Sequence, residues 1–114
     1  LTSLNDSALK EIGINESVKS HTLRLASLAK ECGLAGVVNS PLEASFMRER
    51  LGHDFLLITP GVRPLGSRAN DQARIATPSE AMANGASYLV MGRPITSALN
   101  PASALAIINE ELAR

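Results

Sequence analysis

Two stretches place a glycine and then an arginine just beyond an apolar run: Thr59-Pro60-Gly61-Val62-Arg63 and Met91-Gly92-Arg93-Pro94. Glycine lets the backbone approach a ligand closely, exposed N–H groups supply neutral donors, and a guanidinium grips a phosphate through two parallel hydrogen bonds. The pattern therefore points to phosphate binding by Arg63, Gly92 and Arg93. The competing reading is that Arg63 and Arg93 form ion pairs with loop carboxylates such as Asp71, which leaves the repeated Gly-Arg pairing unexplained. Gln72, between Asp71 and Arg74, offers one acceptor and two donors. It can read an amide-like heterocycle or a phosphate, or it is an ordinary solvated loop residue. Thr2 carries the same ambiguity, as a hydroxyl aimed at a ligand or as a strand-end residue that caps the next element.

No acid, base or nucleophile accompanies these groups. Lys10, Lys19 and Lys30 fall on expected covering helices, and Asp54 precedes a strand at the end of the sheet opposite the Gly-Arg loops. His21 and His53 are expected to have ordinary surface roles. The sequence contains no Ser/His/Asp set, metal-ligand cluster or GxGxxG motif. The residues describe a binding surface without its own chemistry.

The elements that must position this surface alternate. Phe55-Leu56-Leu57-Ile58 is a continuous apolar run, as in a strand covered on both faces, and Thr59-Pro60-Gly61 stops it. Gly36 to Asn39 and Ser87 to Met91 are the other strand candidates, and Leu1 to Leu4 reads as the end of an earlier one. Asn5 or Asp6 caps a short helix through Ile12. Asn15 or Ser17 caps the next, whose Val18, Thr22, Leu25, Ala29 and Cys32 form one stripe. Ser40-Pro41-Leu42-Glu43 and Thr77-Pro78-Ser79-Glu80 both have the form of a capping box with proline at the first helical position. Asn100-Pro101 caps a last helix with Leu105, Ile108 and Leu112 on one face. Strand–helix alternation implies a parallel sheet, either an open doubly wound sheet or part of a (β/α)₈ barrel. On the barrel reading, residues 1–114 are one partial domain of about three and a half βα units. Such a piece exposes two sheet edges and an apolar sheet face, and it is expected to be marginally stable or to self-associate.

Composition narrows the function classes. The 114 residues are 45% apolar, enough for one core, and eleven basic residues balance eleven acidic ones. A net charge of zero argues against a nucleic-acid or anionic-membrane surface and favours a small molecule or a protein partner. No apolar run approaches the length of a membrane span. The single cysteine, Cys32, excludes an internal disulfide and fits a reducing cytoplasm. The opening Leu1-Thr2-Ser3-Leu4, with no methionine before it, suggests an upstream portion.

Taken together, GVVNSPLE at 36–43, LLITPGVRP at 56–64, NDQAR at 70–74, TPSEA at 77–81 and YLVMGRPIT at 88–96 resemble orotidine 5′-phosphate decarboxylases of the bacterial branch. The ordered set of TPGVRP, DQAR and GRPIT is far more specific than any one motif. The resemblance implies the C-terminal half of a (β/α)₈ barrel in a cytoplasmic homodimer. The implied reaction converts orotidine 5′-monophosphate to UMP and CO₂ in pyrimidine synthesis, with no metal or organic cofactor. By the same resemblance Thr2 contacts the pyrimidine and Gln72 spans pyrimidine and phosphate. Arg63, Gly92 and Arg93 are ligand-binding loop residues, with Arg93 and the adjacent N–H groups on the phosphate. Asn39 stands where the family often has Cys, and Asn70 where it often has Asp. The family's Asp-x-Lys-x-x-Asp array is absent, so the catalytic Lys and Asp are expected upstream. This chain alone is then expected to be inactive until joined to an N-terminal half. The alternatives are another phosphate-binding barrel enzyme, a sugar-phosphate decarboxylase or epimerase, against which DQAR and GRPIT argue, or a non-catalytic nucleotide- or protein-binding fragment.

Overall fold

Local capping sets most helix starts. In the computed structural model, which describes residues 1–66 and 76–114, Asn5 accepts from the Ala8 amide to begin α1 (Asp6–Glu11), and Ser17 accepts from Ser20 to begin α2 (Val18–Glu31). Thr77 and Glu80 complete a reciprocal capping box at α4 (Pro78–Ala83). Asn100 accepts from Ser103 at α6 (Pro101–Ala113). The box expected at Ser40 forms only by half. The Glu43 carboxylate accepts from the Ser40 amide at 3.3 Å, closing a turn, and α3 (Ala44–Leu51) starts after it without a side-chain cap. A further short helix, α5 (Arg93–Thr96), follows Gly92, where the sequence suggested only a stop.

The strands are β1 (Gly36–Val38), β2 (Leu56–Thr59) and β3 (Tyr88–Leu89), shorter than or shifted from their expected bounds. Among the described residues the strand pairings are parallel and the order is β1-β2-β3. At Gly36 the strands approach so closely that a Cβ would lie 2.2 Å from the Leu56 carbonyl oxygen, so only glycine fits there. Leu1 to Leu4 form a turn, with Leu4 N–H donating to the Leu1 carbonyl, and are not a strand end.

One face of the sheet is packed. Phe55 and Leu57 join Ala26 of α2 and Ala44, Met47 and Leu51 of α3 in a core, with Val37 against it. Val62, Ala76, Ala81 and Ala86 form a second cluster beneath Leu89 and Met91. The register places Val38, Ile58 and Tyr88 together on the opposite face, where Val38 and Tyr88 are exposed. Among the described residues β2 is therefore covered on one side only, not on both as expected. Sequential strand order with helices on one face is the winding of a barrel; a doubly wound sheet carries helices on both.

Two helical faces also differ from expectation. On α2 the buried residues are Val18, His21, Thr22 and Ala26, while Leu25 and Cys32 are exposed. The small Ala26 is what sits against the core, turning the larger Leu25 outward. On α6 only Ile108 is buried, while Leu105 and Leu112 are exposed. His21 is not a surface residue: it is buried, with Nδ1 2.5 Å from Glu16 Oε1, and Arg24 pairs with the same oxygen.

At the N-terminal end of the sheet, Arg48 joins three segments. Its guanidinium donates to the carbonyls of Gly52 (2.9 Å), His53 (3.1 Å), Phe55 (2.6 Å) and Gly85 (2.6 Å) and to Ser87 Oγ (3.0 Å). Ser87 Oγ also accepts from the Leu57 amide at 3.0 Å. Only a planar fork of five donors can serve this many acceptors at once.

Replacing Arg48 with Met keeps the aliphatic stem and removes the fork. We expect a loss of about 3 kcal/mol or more in urea unfolding, since several partly buried carbonyls lose their donor. Arg48→Lys should recover only a fraction of this.

The His21 hydrogen bond and the Arg24 charge hold the Glu16 carboxyl below its ordinary value of 4.5, against the opposing effect of burial. A depressed acid contributes stability that is present above its unfolded value and lost as pH falls through the folded one. Glu16→Gln should therefore be less stable than the parent at neutral pH. The two should converge as the medium is acidified below 4.5, as read by urea midpoints across that range.

Candidate functional site

Both Gly-Arg loops leave the same end of the sheet, from neighbouring strands. Thr59 pairs with Leu89, and the Val90 amide donates to the Thr59 carbonyl at 2.9 Å. Beyond β2 the chain passes Val62, which bridges in parallel to Ala76, while the Arg63 amide donates to the Ala76 carbonyl at 3.0 Å. Val62 and Met91 meet in one apolar cluster, so the residue before Arg63 and the residue before Gly92 are tied together.

The two arginines sit in different surroundings. Arg63 is only 9% exposed, whereas Arg93 is exposed at the first position of α5. Gly92 is exposed, and its carbonyl accepts from the amides of Ile95 (2.9 Å) and Thr96 (3.0 Å). A side chain at Gly92 would meet open space, so its absence leaves the backbone accessible from that side. Thr2 is exposed in the N-terminal turn. Gln72 lies outside the described residues, as do Arg68, Asn70, Asp71 and Arg74.

A supporting pair behind the loops was not singled out by sequence reasoning. Thr59 Oγ1 donates to Asn39 Oδ1 at 3.0 Å, and Asn39 Nδ2 donates to the Ser40 carbonyl at 2.9 Å, both side chains being fully buried. This links the ends of β1 and β2 at the level where their loops begin. The usable signal was two polar residues at the ends of adjacent apolar strands, and it becomes legible only with the register. On the outer side of the same end, Glu43 is buried as well.

Comparison with known proteins gives this arrangement a family. The model of the orotidine 5′-phosphate decarboxylase / HUMPS family matches residues 1–108. The chain belongs to that family. It is 54% identical over 113 residues to the orotidine 5′-phosphate decarboxylase of Actinobacillus succinogenes, covering 99% of this chain and 49% of that protein. It is 53% identical to that of Geotalea daltonii, covering 98% and 47%. Among solved structures, orotidine 5′-phosphate decarboxylase from Lactobacillus acidophilus superimposes with a TM-score of 0.84 at 39% identity, over 100% of this chain and 46% of that one. The enzyme from Pyrococcus horikoshii gives 0.67 at 27% identity, over 90% and 46%. The chain therefore spans about half the length of the family members it matches, and its described residues form three parallel strands of the family's barrel.

If the Asn39–Thr59 bond sets the loop bases of this family's fold, Thr59→Val should lower stability by about 1–3 kcal/mol, because a buried Asn oxygen loses its donor. Thr59→Ser should stay close to the parent. Urea unfolding reads both, and equal stability for Val and Thr would remove the pair from the account.

Proposed function

We propose that residues 1–114 are the C-terminal, phosphate-binding side of an orotidine 5′-phosphate decarboxylase, which converts orotidine 5′-monophosphate to UMP and CO₂. What carries this reading is the pair of Gly-Arg loops at adjacent strand ends, held together through Val62 and Met91, in a chain of this family. The two strand ends nearest the C-terminus are a common phosphate site in barrel enzymes.

In this assignment Arg93, with the N–H groups beside Gly92, takes the phosphate. Arg63 serves the ligand from the loop it stands on, Gln72 spans phosphate and pyrimidine, and Thr2 contacts the pyrimidine. None of these transfers a proton to the carbon that loses CO₂. That step belongs to the Asp-x-Lys-x-x-Asp array of an N-terminal half, whose Lys would supply the proton without metal or organic cofactor. The two halves form one active unit, cytoplasmic and homodimeric in the manner of the family. Among the described residues no helix is long and apolar enough to cross a membrane, which fits this assignment.

Gripping a remote phosphate contributes to catalysis when the binding free energy is used to close the site around the reacting ring. Energy of this kind appears in turnover as well as in affinity.

The test is complementation. Intact mass spectrometry first establishes which polypeptides are present. The chain is then mixed with the N-terminal half of the Actinobacillus succinogenes enzyme, and the loss of orotidine 5′-monophosphate is followed by UV absorbance. We expect turnover from the mixture and none from either piece alone; a folded mixed complex without turnover would refute the assignment. In the active mixture, Arg93→Ala should weaken the phosphorylated ligand by about one to two powers of ten, from one charge-assisted contact. The bare nucleoside should be much less affected, and equal losses for both would sink the phosphate role of Arg93.

A further inference from the structure

Thr59 breaks the pattern of its own strand. Phe55 and Leu57 bury apolar side chains on the helix-covered face, and Thr59, the next residue on that face, buries a hydroxyl. A hydroxyl and an amide placed in a core cost free energy unless they are paired, and an apolar residue there would need no partner. What the polar pair adds is direction. The bond from Thr59 Oγ1 to Asn39 Oδ1 fixes an orientation as well as a distance, whereas apolar contacts are non-directional.

Both Gly-Arg loops start from this one residue. Pro60, directly after it, has no N–H to give to a neighbouring strand, and Gly61 follows at a φ of +78°. Thr59 is therefore the last residue of β2 held by the sheet before Val62 and Arg63. Its carbonyl accepts from the Val90 amide at 2.9 Å, and Val90 stands just before the Met91-Gly92-Arg93 turn. On the other side, the Asn39 amide donates to the Ile58 carbonyl at 2.9 Å. Asn39 Nδ2 donates to the Ser40 carbonyl at 2.9 Å, and the Ser40 amide donates to Glu43 at 3.3 Å. Hydrogen bonds through Thr59 and Asn39 thus join the ends of β1, β2 and β3.

We propose that Thr59 is a positioning residue for phosphate binding: its side chain, held by Asn39, sets where Arg63 and the Gly92-Arg93 turn stand relative to each other. The inference rests on the reading of these two loops as the phosphate site. Without the hydroxyl, the end of β2 is held to β1 by backbone bonds alone, and both loops leave the sheet with one restraint fewer. Coupling of this kind is reciprocal, so an anion bound by the loops tightens the strand end in turn.

The test is ligand binding by the chain combined with the N-terminal half of the Actinobacillus succinogenes enzyme, with UMP and uridine titrated separately by calorimetry. We expect Thr59→Val, which keeps the β-branched shape, to lower the preference for UMP over uridine about tenfold, the worth of one hydrogen bond. Thr59→Ser keeps the hydroxyl and should restore the preference. Glu16→Gln loses stability at the start of α2 and should leave the preference unchanged, which separates positioning from a general loss of stability. A preference kept by Thr59→Val, or lost equally by Glu16→Gln, would overturn the proposal. Amide exchange in the unaltered protein covers the case of a valine variant that does not fold. UMP should slow exchange at Val90 about tenfold more than uridine does. At Leu56, whose amide bonds the Ala35 carbonyl at the far end of the strands, the two ligands should act alike. Equal protection of Val90 by both ligands would count against the proposal. A parent complex that binds UMP no better than uridine would sink the phosphate reading as well, whereas a preference that survives the loss of the hydroxyl would sink this inference alone.

Discussion

The fork of Arg48 is the constraint on which the working end of the sheet depends. It ties the end of α3, the approach to β2 and the turn before β3 into one block. Because Ser87 Oγ also accepts from the Leu57 amide, the same block sets β3 against β2. From that register Thr59 lies beside Leu89, Met91 packs on the cluster that holds Val62, and the two Gly-Arg loops begin side by side. Gly85 belongs to the same arrangement. Its φ of +107° suits glycine, and a Cβ there would press on the Arg48 side chain at 3.1 Å. The guanidinium lies at the opposite end of the strands from the loops. It acts on the site only through strand register.

What was legible in the sequence was mostly local. Asn5, Ser17, Thr77 with Glu80, and Asn100 act within one helical turn of their own position, so residue type and spacing suffice to place them. The parallel α/β class followed from alternation, and the Gly-Arg loops fell at the same end of the sheet because each follows its strand directly. Arg48 gave no such signal. A helical arginine reads as a solvated side chain, and its acceptors come from Gly52 to Phe55 and from Gly85 to Ser87, segments that only the fold brings together.

The errors have separate physical causes. Periodicity assigned the larger Leu25 to the inner stripe of α2, but helix and sheet meet through Ala26, and a bulkier residue there would hold them apart. His21 shares that buried face because Glu16 and Arg24 satisfy its polar ring, a pairing that charge and hydropathy patterns do not register. At Ser40, Glu43 did find the amide expected of a capping box. The turn it closes precedes α3 instead of opening it, so the chemistry was read correctly and the boundary was not.

Burial separates the two arginines of the repeated motif. Placing a guanidinium in a nine-tenths buried position costs free energy unless its donors are satisfied, so such a group is held by its surroundings in one arrangement. Arg63 stands where the backbone of its own loop is also fixed, by the Val62–Ala76 bridge and the bond from its amide to Ala76. Arg93 is exposed beside Gly92 at the first position of α5. On the proposed assignment it is therefore Arg93, and not the enclosed Arg63, whose guanidinium an arriving phosphate could reach from solvent.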